Sequence, residues 1–342
     1  MIMKLSRLKY FFFLSLIVFA AACGNKGKKT GDVTDNNPAY QHPAVKALTD
    51  KIGGDPKNAH LYFERGMALR HLQLDTLAIK DFQQAAKLDS THAEYFSAVG
   101  DLMFEHKDIS GSRQWLQKAI ELNPNDPRAH LKFAKLLLFM KEYKGSFDQI
   151  NTVLRQDVYN PEAYFIKGRV YEDLKDTNKA ISSYQTALQV APDFRDAMIQ
   201  LGLLYSAKKD PLALKYLDNA FKADTGDVFP IFAKAVFYQD NKDAASAKTM
   251  YREVVARDHQ YSDAYFNMGF LLMQEDSVEK ALHQFDLVTK ISPNDPLAYY
   301  NRGLCNEKLG NKQAAISDYQ QALVFDKDFA DAKAALKKLG VN

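Results

Sequence analysis

Apolar side chains recur along most of this chain at i, i+3, i+4 and i+7, the spacing that gathers them on one face of an α-helix. Tyr265, Met268, Gly269 and Leu272 make one such face. No segment sustains an alternation of apolar and polar residues, so no strand is predicted. The faces themselves repeat. Small residues stand at Gly66, Gly100, Ala134, Gly168, Gly202, Ala235, Gly269 and Gly303, at intervals of 34 residues except for 33 between Gly202 and Ala235. A second small series runs Ala78, Ser112, Ser146, Ala180, Ala213, Ala247, Ala281, Ala315. A bulky series runs Phe82, Leu116, Ile150, Tyr184, Leu217, Tyr251, Phe285, Tyr319, and a last small one Ala85, Ala119, Val153, Ala187, Ala220, Val254, Val288, Ala322. A fixed period of this length means stacked supersecondary units, none of which buries its apolar face alone. Such stacks present long surfaces and usually bind rather than catalyse.

The pattern resembles the tetratricopeptide repeat, a helix–turn–helix with a small residue at position 8, Ala near 20, a bulky residue at 24 and Ala at 27. With the first series at position 8, repeats begin at Ala59, Ala93, Pro127, Pro161, Arg195, Val228, Ser262 and Pro296. The resemblance covers residues 59–329 in eight copies. It implies an all-α fold, a right-handed α-solenoid of eight helix-turn-helix repeats closed by a C-terminal capping helix in 330–342. The missing residue of repeat five falls in Ser206–Pro211, read as the turn between its helices, with Asp210 as N-cap and Pro211 as the first helical residue. Residues 43–58 read as a lone helix and turn in the place of a preceding second helix, with Ala44, Leu48 and Ile52 on one face. At the other end Phe329, Ala332, Leu336 and Leu339 make an apolar stripe, while Lys333 and Lys337 leave the outer face polar.

The first residues read as an address. Lys4, Arg7 and Lys9 precede the apolar run Tyr10–Phe19, and Ala20-Ala21-Ala22-Cys23 follows. This is the layout of a secretory signal, too short for an ordinary transmembrane helix. Small residues directly before a cysteine resemble the bacterial lipoprotein signal. That resemblance implies a signal peptide over 1–22, lipid on Cys23, and residence in the cell envelope. Gly24 in place of aspartate favours the outer membrane, and the lack of an acidic run after Cys23 favours the periplasmic side. Residues 23–42 are rich in Gly, Asn, Asp and Lys, the composition of a flexible tether.

Charge narrows the partners. The chain has 45 basic and 42 acidic side chains, and removal of 1–22 takes Lys4, Arg7 and Lys9 away and leaves 42 of each. Nucleic-acid binding, which rests on excess positive charge, loses its support. Cys305 stands at a position that is apolar in every other copy, which reads as core. The eight histidines make no His-Glu-x-x-His pattern and the cysteines no zinc spacing. No catalytic residue, metal site or cofactor is predicted, and the chain reads as a non-enzyme.

What remains is surface. In the family the first helix of each repeat lines a concave groove, mainly through positions 2, 5, 9, 12 and 13. Repeats two to four mix charges there: Asp101, Glu105, Arg128, Lys135, Arg169, Glu172 and Asp173. The later repeats are apolar at positions 5 and 9. The resemblance therefore implies a partner-binding groove of Phe165, Ile199, Leu203, Phe232, Val236, Phe266, Phe270, Met273, Tyr300 and Leu304. The alternative is that these side chains pack against neighbouring repeats. Chaperone-tail recognition of the family's carboxylate-gripping kind is not expected, because no position 5 is Lys and no position 9 is Asn. Trp115 reads either as a second contact or as edge packing. The chain thus looks like a non-catalytic scaffold for a protein or peptide partner, joined to the membrane by lipid. A structural protein that forms a homo-oligomer through the groove is the alternative.

Overall fold

The computed structural model describes residues 37–341; the expected signal peptide, Cys23 and most of the expected tether lie outside them. Every regular element in this range is helical. A short 3-10 helix, Pro38–Gln41, leads into α1 (Pro43–Gly54). Eight helix pairs follow, each an A helix and a B helix. The A helices are α2 (Ala59–His71), α4 (Ala93–Glu105), α6 (Pro127–Phe139), α8 (Pro161–Asp173), α10 (Arg195–Ala207), α12 (Phe229–Asp240), α14 (Ser262–Gln274) and α16 (Pro296–Lys308). The B helices are α3 (Asp75–Leu88), α5 (Ile109–Leu122), α7 (Tyr143–Gln156), α9 (Thr177–Val190), α11 (Leu212–Ala223), α13 (Ala244–Arg257), α15 (Val278–Ile291) and α17 (Lys312–Phe325), and α18 (Ala330–Lys338) ends the chain. The pairs fall into two compact units, residues 37–194 and 195–341, each a stack of helix pairs.

The small and bulky series explain how each pair closes. The residue at position 24 lies flat on the residue at position 8. A Cβ added at Gly66 would sit 2.5 Å from Phe82, and one at Gly269 would sit 2.9 Å from Phe285. Glycine there lets the ring of helix B reach the backbone of helix A. The rings so held have no exposed surface, Phe82 and Phe285 included. Burying such a ring contributes about 1.5–3 kcal/mol.

All eight A–B turns share one construction. Position 15 takes a left-handed conformation in each: Gln73, Lys107, Lys141, Lys175, Lys209, Lys242, Asp276 and Gly310. The next residue donates its N–H back five residues, as Asp108 does to the Met103 carbonyl and Glu142 to that of Leu137. These bonds satisfy carbonyls that the end of helix A leaves open. Repeat five keeps this turn intact, with Asp210 bonded to Tyr205. Its shortage lies instead in the first turn of the B helix. There Ala213 and Leu214 bond three residues back to Asp210 and Pro211, where Ser112 bonds four back to Asp108. The carboxylate of Asp210 accepts from the Leu212 N–H at 2.9 Å, but Pro211 is the N-cap rather than the first helical residue, and α11 runs only 12 residues.

At the start, α1 takes the register of a B helix. Its buried face is Val45 and Ile52; Ala44 is exposed and Leu48 half-buried. The end of the expected tether is ordered. Asn37 caps the 3-10 helix through Ala39 N, and Tyr40 is buried beneath Arg65, its ring 4.5 Å from the guanidinium carbon. Arg65 in turn grips Asp81 through two bonds of 2.7 and 2.8 Å. At the far end, Phe329, Ala332 and Leu336 of the α18 region bury against Tyr300 and Tyr319, and Lys333, Lys337 and Lys338 face outward.

Candidate partner-binding surface

Charged residues of successive A helices in the 37–194 unit meet across a common face. Arg70 reaches Asp101 at 3.4 Å and Glu105 at 2.5 Å, Lys132 reaches Asp101 at 3.0 Å, and Lys135 reaches Glu162 at 2.6 Å. The mixed charges expected there thus largely neutralise one another. Glu172 departs from that face. Its carboxylate accepts from the hydroxyl of Tyr184, on the B helix of the same repeat, and burial raises its pKa above the ordinary carboxylate range.

The structure divides the ten predicted groove residues by register. Those at position 5 lean on the position-24 side chain of their own repeat. Ring centroids are 5.6 Å apart for Phe165 and Tyr184, 5.7 Å for Phe232 and Tyr251, 5.4 Å for Phe266 and Phe285, and 5.7 Å for Tyr300 and Tyr319. Phe266 has no exposed surface at all, so it closes its repeat and offers nothing to a partner. Ile199, in the same register, is also buried. At position 9, Val236 and Phe270 are buried, while Leu203 and Leu304 keep part of their surface in solvent. Met273 is buried between α14 and α16, its sulfur 3.3 Å from that of Cys305. The reachable apolar surface of the 195–341 A helices is therefore Leu203 and Leu304, joined by Phe229 and Leu297 at position 2, all half-buried.

Some polar groups buried among these helices lack partners. Asn267 and Asn301 share position 6 and are buried, and the amide oxygen of each accepts no hydrogen bond. Burial and the carboxylates Asp240 and Asp263 push the Tyr251 hydroxyl up, and burial with Asp263, Asp227 and Asp258 does the same for Tyr261.

No group of three or more metal-ligating side chains occurs among the described residues. The Cys305 thiol is fully buried, and burial pushes its pKa up to about 12, so it is a core residue and no nucleophile. Trp115 is half-buried and tilts against Phe96 of its own repeat at 5.3 Å, which is edge packing. No helix among the described residues is long and apolar enough to cross a membrane.

Tetratricopeptide-repeat family profiles match residues 59–92, 76–127, 161–194 and 269–339. The chain is a tetratricopeptide-repeat protein. Among curated proteins it is similar to human DnaJ homolog subfamily C member 7, 22% identical over 298 residues that cover 76% of this chain and 58% of that protein. It is 26% identical over 163 residues to the DnaJ protein P58IPK homolog of Arabidopsis thaliana, covering 44% of this chain and 34% of the relative. Across the curated relatives it matches, it spans between 31% and 58% of their length. A tetratricopeptide repeat protein from Parabacteroides merdae superposes with a TM-score of 0.52 at 16% identity, over 73% of this chain and 99% of that one. This last likeness shows the fold. Membership in the family supports a protein-binding scaffold role for the tetratricopeptide array.

Proposed function

We propose that this tetratricopeptide-repeat protein is a non-catalytic scaffold that is held to a bacterial outer membrane by lipid on Cys23, faces the periplasm, and grips a partner segment on its A helices. The observation that carries the binding half is the apolar side chains of the A helices in residues 195–341, where Leu203 on α10, Phe229 on α12, and Leu297 and Leu304 on α16 remain partly open to solvent. The anchoring half rests on the basic, apolar and small-residue run that ends at Cys23.

Two measurements test the reading. Replacing Leu203 and Leu304 with serine should remove the partner recovered in a pull-down and leave the melting temperature within a few degrees of wild type, because both side chains already keep part of their surface in solvent. Recovery of the same partner by the variant would move the site elsewhere, whereas recovery of only further copies of this chain would favour self-association. Cys23→Ser should release the array from the membrane fraction. A variant that stays in the membrane with wild-type gel mobility would remove the lipid anchor from the proposal.

A further inference from the structure

We infer that the groove of residues 195–341 selects a basic segment, one in which apolar side chains are interspersed with lysine or arginine. This rests on the groove-binding reading above and adds the chemistry of the partner. The floor is apolar, set by Leu203, Val236, Phe270 and Leu304 at position 9. Its fixed charges are one-sided. Position 2 supplies Asp196 on α10, Asp263 on α14 and Asp331 on α18, and position 13 supplies Asp240 on α12. Asp196, Asp240 and Asp331 enter no ion pair among the described residues. The lysines at positions 13 and 9, Lys308 and Lys338, are paired: Lys308 meets Asp276 at 3.4 Å and Lys338 meets Glu307 at 2.5 Å. Asp196 and Asp331 therefore stand at groove registers, exposed and without an ion pair among the described residues, and Asp240 has only the nearby charge of Lys209.

The contrast with residues 37–194 also matters. There Arg70, Lys132 and Lys135 cancel the acids of neighbouring A helices, so a charged ligand would first have to break those pairs. An acidic segment would meet repulsion over Asp196, Asp240 and Asp331, and a neutral one would leave Asp196 and Asp331 uncompensated. A basic one places its charge where the field is negative.

The test uses the full chain and a set of fluorescein-labelled peptides that share one pattern of leucines, with lysine, glutamate or serine between them, read by fluorescence anisotropy. The lysine peptide should bind roughly tenfold more tightly than the glutamate peptide at low salt, and the preference should shrink as salt rises. The combined variant Asp196→Asn, Asp240→Asn, Asp331→Asn should lose that preference and keep its binding of the serine peptide. Equal binding of lysine and glutamate peptides, or an unchanged preference in the triple variant, overturns the inference. If the Leu203→Ser, Leu304→Ser variant binds the serine peptide as well as wild type does, the groove reading itself fails. If it loses that binding while no charge preference exists, only the basic-partner inference fails.

Discussion

Tyr184, Tyr251 and Tyr319 each send a hydroxyl across the repeat to position 12, to Glu172, Gln239 and Glu307. In the other five repeats position 24 is Phe82, Leu116, Ile150, Leu217 or Phe285, and position 12 is Arg70, Phe104, Leu138, Ser206 or Met273, none of them a carboxylate or amide. Tyrosine at 24 thus travels with Glu or Gln at 12, because a buried hydroxyl needs an acceptor. Tyr184→Phe removes the donor and leaves the Glu172 carboxylate buried, at a cost of about 1–3 kcal/mol. The cost should depend on pH. Burial already raises the pKa of Glu172 above its ordinary 4.5, and the Tyr184 bond opposes that rise. A raised carboxylate means that the folded state holds the proton more tightly, so its contribution falls as pH climbs through the shifted range. Without Tyr184 the range moves higher still. Urea melts should therefore show a wild-type advantage that is small below 4.5 and larger at neutral pH; a gap of constant size would remove Glu172 as its source. The same residue-by-residue comparison explains what sequence reading missed in the groove. Aromatics at position 5 occur only in repeats with an aromatic at 24, as in Phe63 with Phe82 and Phe266 with Phe285, whereas Ser97 goes with Leu116 and Ile199 with Leu217. That covariation marks position 5 as core, which helical spacing alone does not reveal. Phe266→Ala should accordingly cost about 3–5 kcal/mol of stability, read by denaturant unfolding. A small loss there would return Phe266 to the candidate site.

At the scale of the element, the helices and their order were legible because glycine, alanine and ring positions recur in all eight copies. The turns were not. Their left-handed residue is lysine in five repeats and glycine only at Gly310, so the usual glycine signature of a helix end is absent. A left-handed conformation costs an L-residue roughly 1–2 kcal/mol, part of which glycine gives back by gaining freedom in the unfolded chain. Lys141→Gly should raise the stability of the array by about 0.5–1 kcal/mol and Gly310→Lys should lower it by a similar amount. Opposite shifts in melting temperature would bear this out; shifts of the same sign would mean that the lysine side chains contribute contacts of their own. The first turn of α11 was misplaced for a related reason. A deletion between two aligned series can be located only to the gap between them, and hydrogen bonds are needed to show that the turn survives and the helix shortens. The ordering of Tyr40 under Arg65 was hidden because polar composition marks a tether without marking where it docks.

For the molecule as a whole, stacked repeats draw stability from their own pair and from nearest neighbours. Leu336→Ala in α18 should therefore cost about 2–5 kcal/mol locally and speed hydrogen exchange in α16 and α17, whose Tyr300 and Tyr319 it covers, while α10 and α11 keep their protection. Loss of protection throughout residues 195–341 would instead show that this stack melts as one block. The repeated turn also turns the chain into its own ruler. Lys107, Lys141, Lys175, Lys209 and Lys242 occupy one register, at separations of 34 residues and once 33. Each is exposed, and each is locked in a hydrogen-bonded turn that a trypsin active site accepts only after the turn opens. Brief digestion of the native array would then give a ladder with one rung for each of repeats two to six. The relative strength of the rungs would record, from a single gel lane, how readily each of these five repeats loosens.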